Sequence, residues 1–333
     1  MAVVMNKNTH LRPLDPRKDL NGVADLIDIC FDFYMDEDGR EYVRQIRRVA
    51  KAQSSLLGIS QNLGSGGVPM QGFVWEVDGK LVGNLTIIPF MRESGWQYLI
   101  ANVATDPSYR RQGIARQLTE AALEWIHEHG GKNAWLQVRE DNSGAYNLYA
   151  SLGFHEIARR TTYRALPRNY KSLPAGSSIY LTRRRSSDWP SQKAWLQAVY
   201  PPNIAWHLPF RLSSFQPGFW NTLVQFVNDE TIYQWAARRD DRLLGVASLE
   251  TNRGTTDSLW LAFPPNLEED ALFALLTHAR LEGPGDRTIT VNFPAGTAER
   301  CFQSAGYDKH MTLIWMNQPT GQKPVLRKTG LYV

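Results

Sequence analysis

The stretch Val103-Ala104-Thr105-Asp106-Pro107-Ser108-Tyr109-Arg110-Arg111-Gln112-Gly113-Ile114-Ala115-Arg116 decides the fold. A strand-like run ends in an Asp-Pro turn, and a helix opens on Gly113. The first turn of a helix has unpaired N–H groups and a partial positive charge. A diphosphate placed there accepts several charge-assisted hydrogen bonds, each worth about 1.5–3 kcal/mol. Gly113 lets an anion approach the backbone, and Ala115 keeps the next turn small. Arg110, Arg111 and Arg116 add positive charge at the rim. Taken alone, the same residues also describe a glycine N-cap beside surface arginines.

Outward from this loop the chain reads as α/β with a mixed sheet. Upstream, 20–31 and 41–51 have helical spacing, and 72–77 and 80–85 flank Asp78-Gly79, a strong hairpin signal. Residues 98–105 form a strand. Downstream, 114–129 is a helix closed by Gly130-Gly131, 133–138 a strand, 143–152 a helix ended by Gly153, and 154–165 a strand. The second half repeats this ending: Tyr149 and Gly153 lie 153 residues before Phe302 and Gly306. A hairpin around Asp240-Asp241, a strand near 259–261 and a helix over 268–281 precede it. One fold present twice is the economical reading. The Pro-, Gly- and Ser-bearing connector around 166–178 sets the domains at 1–168 and 177–318, with a tail over 319–333.

Length and composition agree. The chain of 333 residues exceeds what one hydrophobic core usually supports. Its 43% apolar and 21% charged content is ordinary for a globular protein. No run of about 18 apolar residues is present, so no membrane partner or span is expected. The N-terminus lacks the long apolar region of a secretory signal. Cys30 and Cys301 are too few for a disulfide scaffold or a four-cysteine zinc site. Two reduced thiols and a cytoplasmic location are expected, with no metal. The net charge of +4 and Arg183-Arg184-Arg185 come without a nucleic-acid motif, so no nucleic-acid partner is expected.

Arg110-Arg111-Gln112-Gly113-Ile114-Ala115 resembles the acyl-coenzyme-A loop of the GNAT acetyltransferase superfamily, Arg/Gln-x-x-Gly-x-Gly/Ala. Asn142-Ser143-Gly144-Ala145 through Tyr149 to Gly153-Phe154 resembles that family's Asn-x-x-Ala-x-x-x-Tyr-x-x-x-Gly-Phe element. The resemblance implies two tandem GNAT-like domains, a plan similar to that of mycothiol synthase. It implies an acyl-coenzyme-A-dependent N-acyltransferase, with acetyl-coenzyme A as the default donor and coenzyme A as product. The acceptor would be an amine of a small molecule or peptide. A non-catalytic acyl-coenzyme-A sensor is the alternative, and the oligomeric state stays open. By the same resemblance, the backbone of Val103, Ala104 and Thr105 pairs with the pantetheine arm. Arg110, Arg111, Gln112, Gly113, Ile114, Ala115 and Arg116 hold the diphosphate, Asn142 contacts the coenzyme, and Tyr149 gives a proton to the departing sulfur.

The base is less defined. Some relatives that acetylate protein N-termini have a Glu five residues before the motif Asn, where this chain has Gln137, which cannot take a proton, a departure from an N-terminal-acetyltransferase mechanism of that type. Glu76 could act through water, or be an exposed strand residue. Asp36 and Glu37, beside aromatic residues between the first two helices, could meet a cationic amine or simply favour a helix N-terminus. The second copy reads as degenerate. Its loop has no Gly, Glu268, Glu269 and Asp270 stand where the first copy has arginines, Phe302 replaces Tyr149, and Ala295 replaces Asn142. Those acidic residues are expected to satisfy the helix terminus themselves. Seven of the 11 tryptophans lie in this half, with core packing as their default role.

Overall fold

The computed structural model describes residues 10–32, 35, 37–54, 71–92, 95–167, 178–206, 208–218, 231–251 and 256–320, the side chains of 37, 38, 53 and 54 excepted. Asp36, the centre of the connector and the tail beyond 320 lie outside them. Glu37 is described only as a helix position.

The chain divides into two compact units. The first comprises 1–138, 142–157 and 315–333, and the second 139–141 and 158–314. In the first, β1 (Leu11–Pro13), α1 (Pro16–Phe31) and α2 (Glu37–Ser54) lead into β2 (Gly72–Val77), β3 (Lys80–Arg92) and β4 (Gly95–Thr105). Then come α3 (Ile114–Glu128), β5 (Asn133–Arg139), α4 (Ser143–Ser151) and β6 (His155–Ala165). Strands β1 to β4 pair antiparallel in order, and β5 joins β4 in parallel. The second unit has β7 (Tyr180–Arg183), α5 (Trp189–Val199), α6 (Pro202–Ala205), β8 (Thr231–Arg239), β9 (Arg242–Thr251) and β10 (Thr256–Ala262). It continues with α7 (Glu269–Glu282), β11 (Thr288–Pro294), α8 (Glu299–Ser304) and β12 (Asp308–Pro319). Strands β7 to β10 pair antiparallel, β10 and β11 in parallel. The order hairpin, strand, helix, strand, helix, strand thus occurs in both.

The unit limits differ from the boundary expected at the connector. Residues of β6 from Arg160 to Ala165 pair antiparallel with β11, within the second unit. The end of β12 counts with the first unit, where Asn317 Nδ2 donates to Ala134 O at 3.2 Å. The tail also begins later than expected, because the Thr320 N–H donates to Lys132 O at 3.1 Å. Strand pairing is non-local, so composition around 166–178 could not locate it.

Local chemistry explains the elements. Asp15 caps α1 by accepting the Arg17 N–H at 3.0 Å, and Pro16 suits the first helical position. Leu20, Val23, Ala24 and Ile27 of α1 meet Val43, Ile46 and Val49 of α2 over Val74. Helix α2 is longer at both ends than the 41–51 expected. Asp78 (φ 49°) and Gly79 (φ 78°), like Asp240 (φ 48°) and Asp241 (φ 61°), are left-handed pairs closing two-residue hairpins. On the opposite face of the first unit's sheet, α3 lies so close that a Cβ on Gly83 would stand 2.7 Å from Ile114 Cγ2. That approach sets the start of α3 against the end of β4.

Candidate active site

Pairing of β4 with β5 runs from Gln97↔Asn133 to Ile100↔Leu136 and stops. Beyond it the two strands part. β4 is a central strand, so its residues should be covered, and Tyr98, Leu99 and Ile100 are buried. Past the last pair, Ala101, Asn102, Val103 and Thr105 are partly exposed, as is Gln137 on β5. Among the described residues, no side chain bonds to the main chain of Val103 or Ala104. The Thr105 hydroxyl is buried without a hydrogen-bond partner. Open main chain and an orphaned hydroxyl fit a polar, extended ligand.

The loop after β4 is anchored at its start. Asp106 accepts the Ser108 N–H at 3.0 Å and the Lys80 ammonium at 2.8 Å. Hydrogen bonding from Lys80, then from Ser108, holds its carboxyl below the ordinary range. Arg111 (φ 63°) and Gly113 (φ 78°) are both left-handed, and no side chain caps α3. Successive N–H groups in such a turn form an anion-binding concavity. A non-glycine residue held at positive φ costs about 1–2 kcal/mol, a strain found at functional sites. Arg110 and Arg111 are exposed, Arg110 bonding Thr105 O at 3.3 Å through Nε. Gln112 is exposed, Ile114 buried, and Ala115 and Arg116 partly exposed.

Arg116 Nη2 donates to Ser151 Oγ at 2.6 Å, tying the first turn of α3 to the last turn of α4. Two residues before Ser151 stands Tyr149, buried, its ring edge-on to Phe154 at 6.0 Å. Burial pushes its phenol well above the ordinary value. Its hydroxyl has no hydrogen-bond partner among the described residues. Asn142 caps α4 by accepting the Ala145 N–H at 3.1 Å and is itself exposed. Strand, loop, α3 and α4 are therefore brought to one place.

Glu76 is not. It lies on β2, two strands from the opening, and its Oε2 accepts from Arg12 Nε at 2.8 Å and Nη2 at 2.5 Å. Arg12 also grips Asp19 through both nitrogens of its fork. The carboxylate is the counter-ion of a clamp joining β1, β2 and α1, which gives it a structural task. Residues that sequence reasoning passed over are Lys80, Cys30, whose thiol donates to Thr105 O at 3.3 Å, and Asn102. An Asn inside a strand-like run was the signal for the last, since Asn is depleted in strands and tolerates left-handed backbone.

The second unit has the same parting of strands, and fills it. β10 and β11 pair from Thr256↔Thr288 to Ser258↔Thr290. Past that point the Leu261 N–H donates to the Tyr200 hydroxyl at 3.3 Å. Arg160 donates to Asn292 O at 3.0 Å, Asn292 Oδ1 at 2.8 Å and Val199 O at 2.7 Å, its guanidinium 5.0 Å from the Tyr200 ring centre. Leu259 to Phe263 are all buried. No residue from Phe263 to Glu268 has positive φ. The acidic start of α7 does not cap it as expected: no side chain does, and Glu268 instead accepts from Arg239 at 2.6 Å and from Arg242. Helix α8 starts at Glu299 on an Ala298 cap, so Ala295, in the Asn142 position, lies before the helix.

Residues 32–154 match the profile of the acetyltransferase (GNAT) family. The ribosomal protein bS18-alanine N-acetyltransferase of Escherichia coli K12 is 44% identical over 62 residues, 19% of this chain and 42% of that protein. The N-alpha-acetyltransferase RimI of Mycobacterium tuberculosis is 32% identical over 110 residues, 33% of this chain and 63% of that one. The chain thus spans about half the length of these curated relatives. A GCN5-related N-acetyltransferase from Sphaerobacter thermophilus shares the fold across both units, at a TM-score of 0.56 and 14% identity, covering 93% of this chain and 95% of that one. No helix among the described residues is long and apolar enough to cross a membrane. Over residues 32–154, within its first unit, the chain is similar to the GNAT acetyltransferase family.

Proposed function

We propose that the first unit transfers an acetyl group from acetyl-coenzyme A to an amine, with the free α-amine of a peptide or protein N-terminus as first choice and a small-molecule amine as second. The open main chain of β4 beside an uncapped, glycine-led helix carries this reading. The filled counterpart in the second unit limits the activity to the first. The names of the two sequence relatives support an α-amine.

Acetyl-coenzyme A would supply a thioester, whose acyl carbon is already activated. The N–H groups around Gly113, with Arg110 and Arg111, would hold its diphosphate. The main chain of Val103, Ala104 and Thr105 would pair with the pantetheine arm. The amine nitrogen bonds to the acyl carbon, and the carbon–sulfur bond breaks. Tyr149, kept protonated by burial, donates its proton to the leaving sulfur. The nitrogen releases its proton to solvent, because Gln137 cannot accept it. An α-amine with a pKa near about 8 is neutral often enough at pH 7 for this; a lysine-like amine near about 10.4 is much less so.

The test is thiol release from acetyl-coenzyme A over a panel of peptides with free N-termini and of alkyl amines. Amine-dependent release is expected. Tyr149→Phe should lower kcat by about 10²–10⁴ while coenzyme affinity stays within about twofold. The absence of a carboxylate at Gln137 supports a sensor as second reading; coenzyme binding without release for any amine would establish it.

A further inference from the structure

Asn102 stands at the bulge of β4, where pairing with β3 shifts between Asn84 and Thr86, and its φ is 52°. A left-handed residue inside a central strand is strained, so something must hold it. The holders are polar. Asn84 Nδ2 donates to Asn102 O at 3.0 Å. Asn102 Nδ2 donates to the Tyr42 hydroxyl at 2.8 Å and to Thr86 Oγ1 at 3.4 Å. Both hydrogens of the side-chain amide are thereby engaged with α2 and β3. Its Oδ1 accepts no hydrogen bond among the described residues, and the residue is partly exposed where β4 opens. A side chain aimed by two bonds, with one acceptor left over at the mouth of a reaction site, is arranged for a ligand donor.

We propose that Asn102 Oδ1 accepts an N–H of the acceptor amine, with Tyr42 as the positioning residue that aims it; this rests on the acetyl-transfer reading above. A primary amine attacks through its lone pair and keeps two N–H bonds. As the carbon–nitrogen bond forms, the nitrogen gains positive charge and its N–H groups become better donors. An amide oxygen in place for them binds the transition state more strongly than the ground state. The substrate class is therefore an amine that carries at least one N–H, as a free α-amine does. A tertiary amine offers no N–H and is excluded.

Asn102→Gly removes the amide and accepts the left-handed backbone, and Tyr42→Phe removes only the aiming hydroxyl. Steady-state rates with acetyl-coenzyme A and a peptide bearing a free α-amine are read beside calorimetric affinity for coenzyme A. Both variants should lose about tenfold or more in kcat/KM for the amine, with coenzyme affinity within about twofold. Asn102→Asp, which keeps an acceptor oxygen, should recover most of the loss. An Asn102→Gly variant within twofold of wild type for the amine overturns the assignment, as does parallel weakening of coenzyme binding, the mark of a merely structural role. A wild-type chain that binds no acetyl-coenzyme A instead fails the acetyl-transfer reading, and this inference with it.

Discussion

In the proposed transfer, Tyr149 and Gln137 divide the proton traffic unequally. Burial keeps the Tyr149 phenol protonated, as a donor to the leaving sulfur must be, whereas the neutral amide of Gln137 offers no base at the opening of β5. The rate should then follow the fraction of neutral amine. Below the amine's own pKa, kcat/KM should rise about tenfold per pH unit, with no inflection from an enzyme carboxylate. Gln137→Glu should raise kcat/KM at pH 7 and flatten the profile. A wild-type profile already flat above pH 6 would contradict this. The spacing from Asn142 to Tyr149 made these positions legible in the sequence. Glu76 was not legible, because its partner Arg12 lies 64 residues earlier and meets it only when β1 pairs with β2.

The loop between β4 and α3 depends on its first residue. Asp106 accepts from Ser108 and Lys80, and its carboxyl is depressed chiefly by Lys80. A depressed carboxylate contributes stability above its unfolded pKa of about 3.9 and loses it as pH falls through the folded value. Lys80 is largely exposed, so solvent screens the pair and its contribution is small. Asp106→Asn keeps a capping oxygen and loses the charge. Its melting temperature should lie below wild type at pH 7, and the two should converge as pH drops below about 4; a gap that persists there would refute the pairing. Asp106-Pro107 and Gly113 announced this element in sequence. The bulge at Asn102 did not announce itself, since it is set by Asn84, Thr86 and Tyr42 from other elements. The late start of α8 escaped for the converse reason: the internal repeat predicted a helix where Ala295 offers no cap.

At the level of the whole chain, two copies of one topology have taken different courses. The repeat from Tyr149 to Phe302 was readable from spacing alone. The side chains that fill the second opening were not, since Tyr200 directly follows α5 and Arg160 comes from β6, both far in sequence from β10 and β11. Nor did composition reveal that β6 and β12 contribute across the expected boundary. The account rests on one opening left free and the other occupied by protein. Calorimetric titration of acetyl-coenzyme A into the full chain tests this most directly. One molecule bound per chain is predicted, with binding abolished by Gly113→Val, whose branched side chain resists the left-handed turn. Two molecules per chain, none, or one that survives Gly113→Val would contradict it.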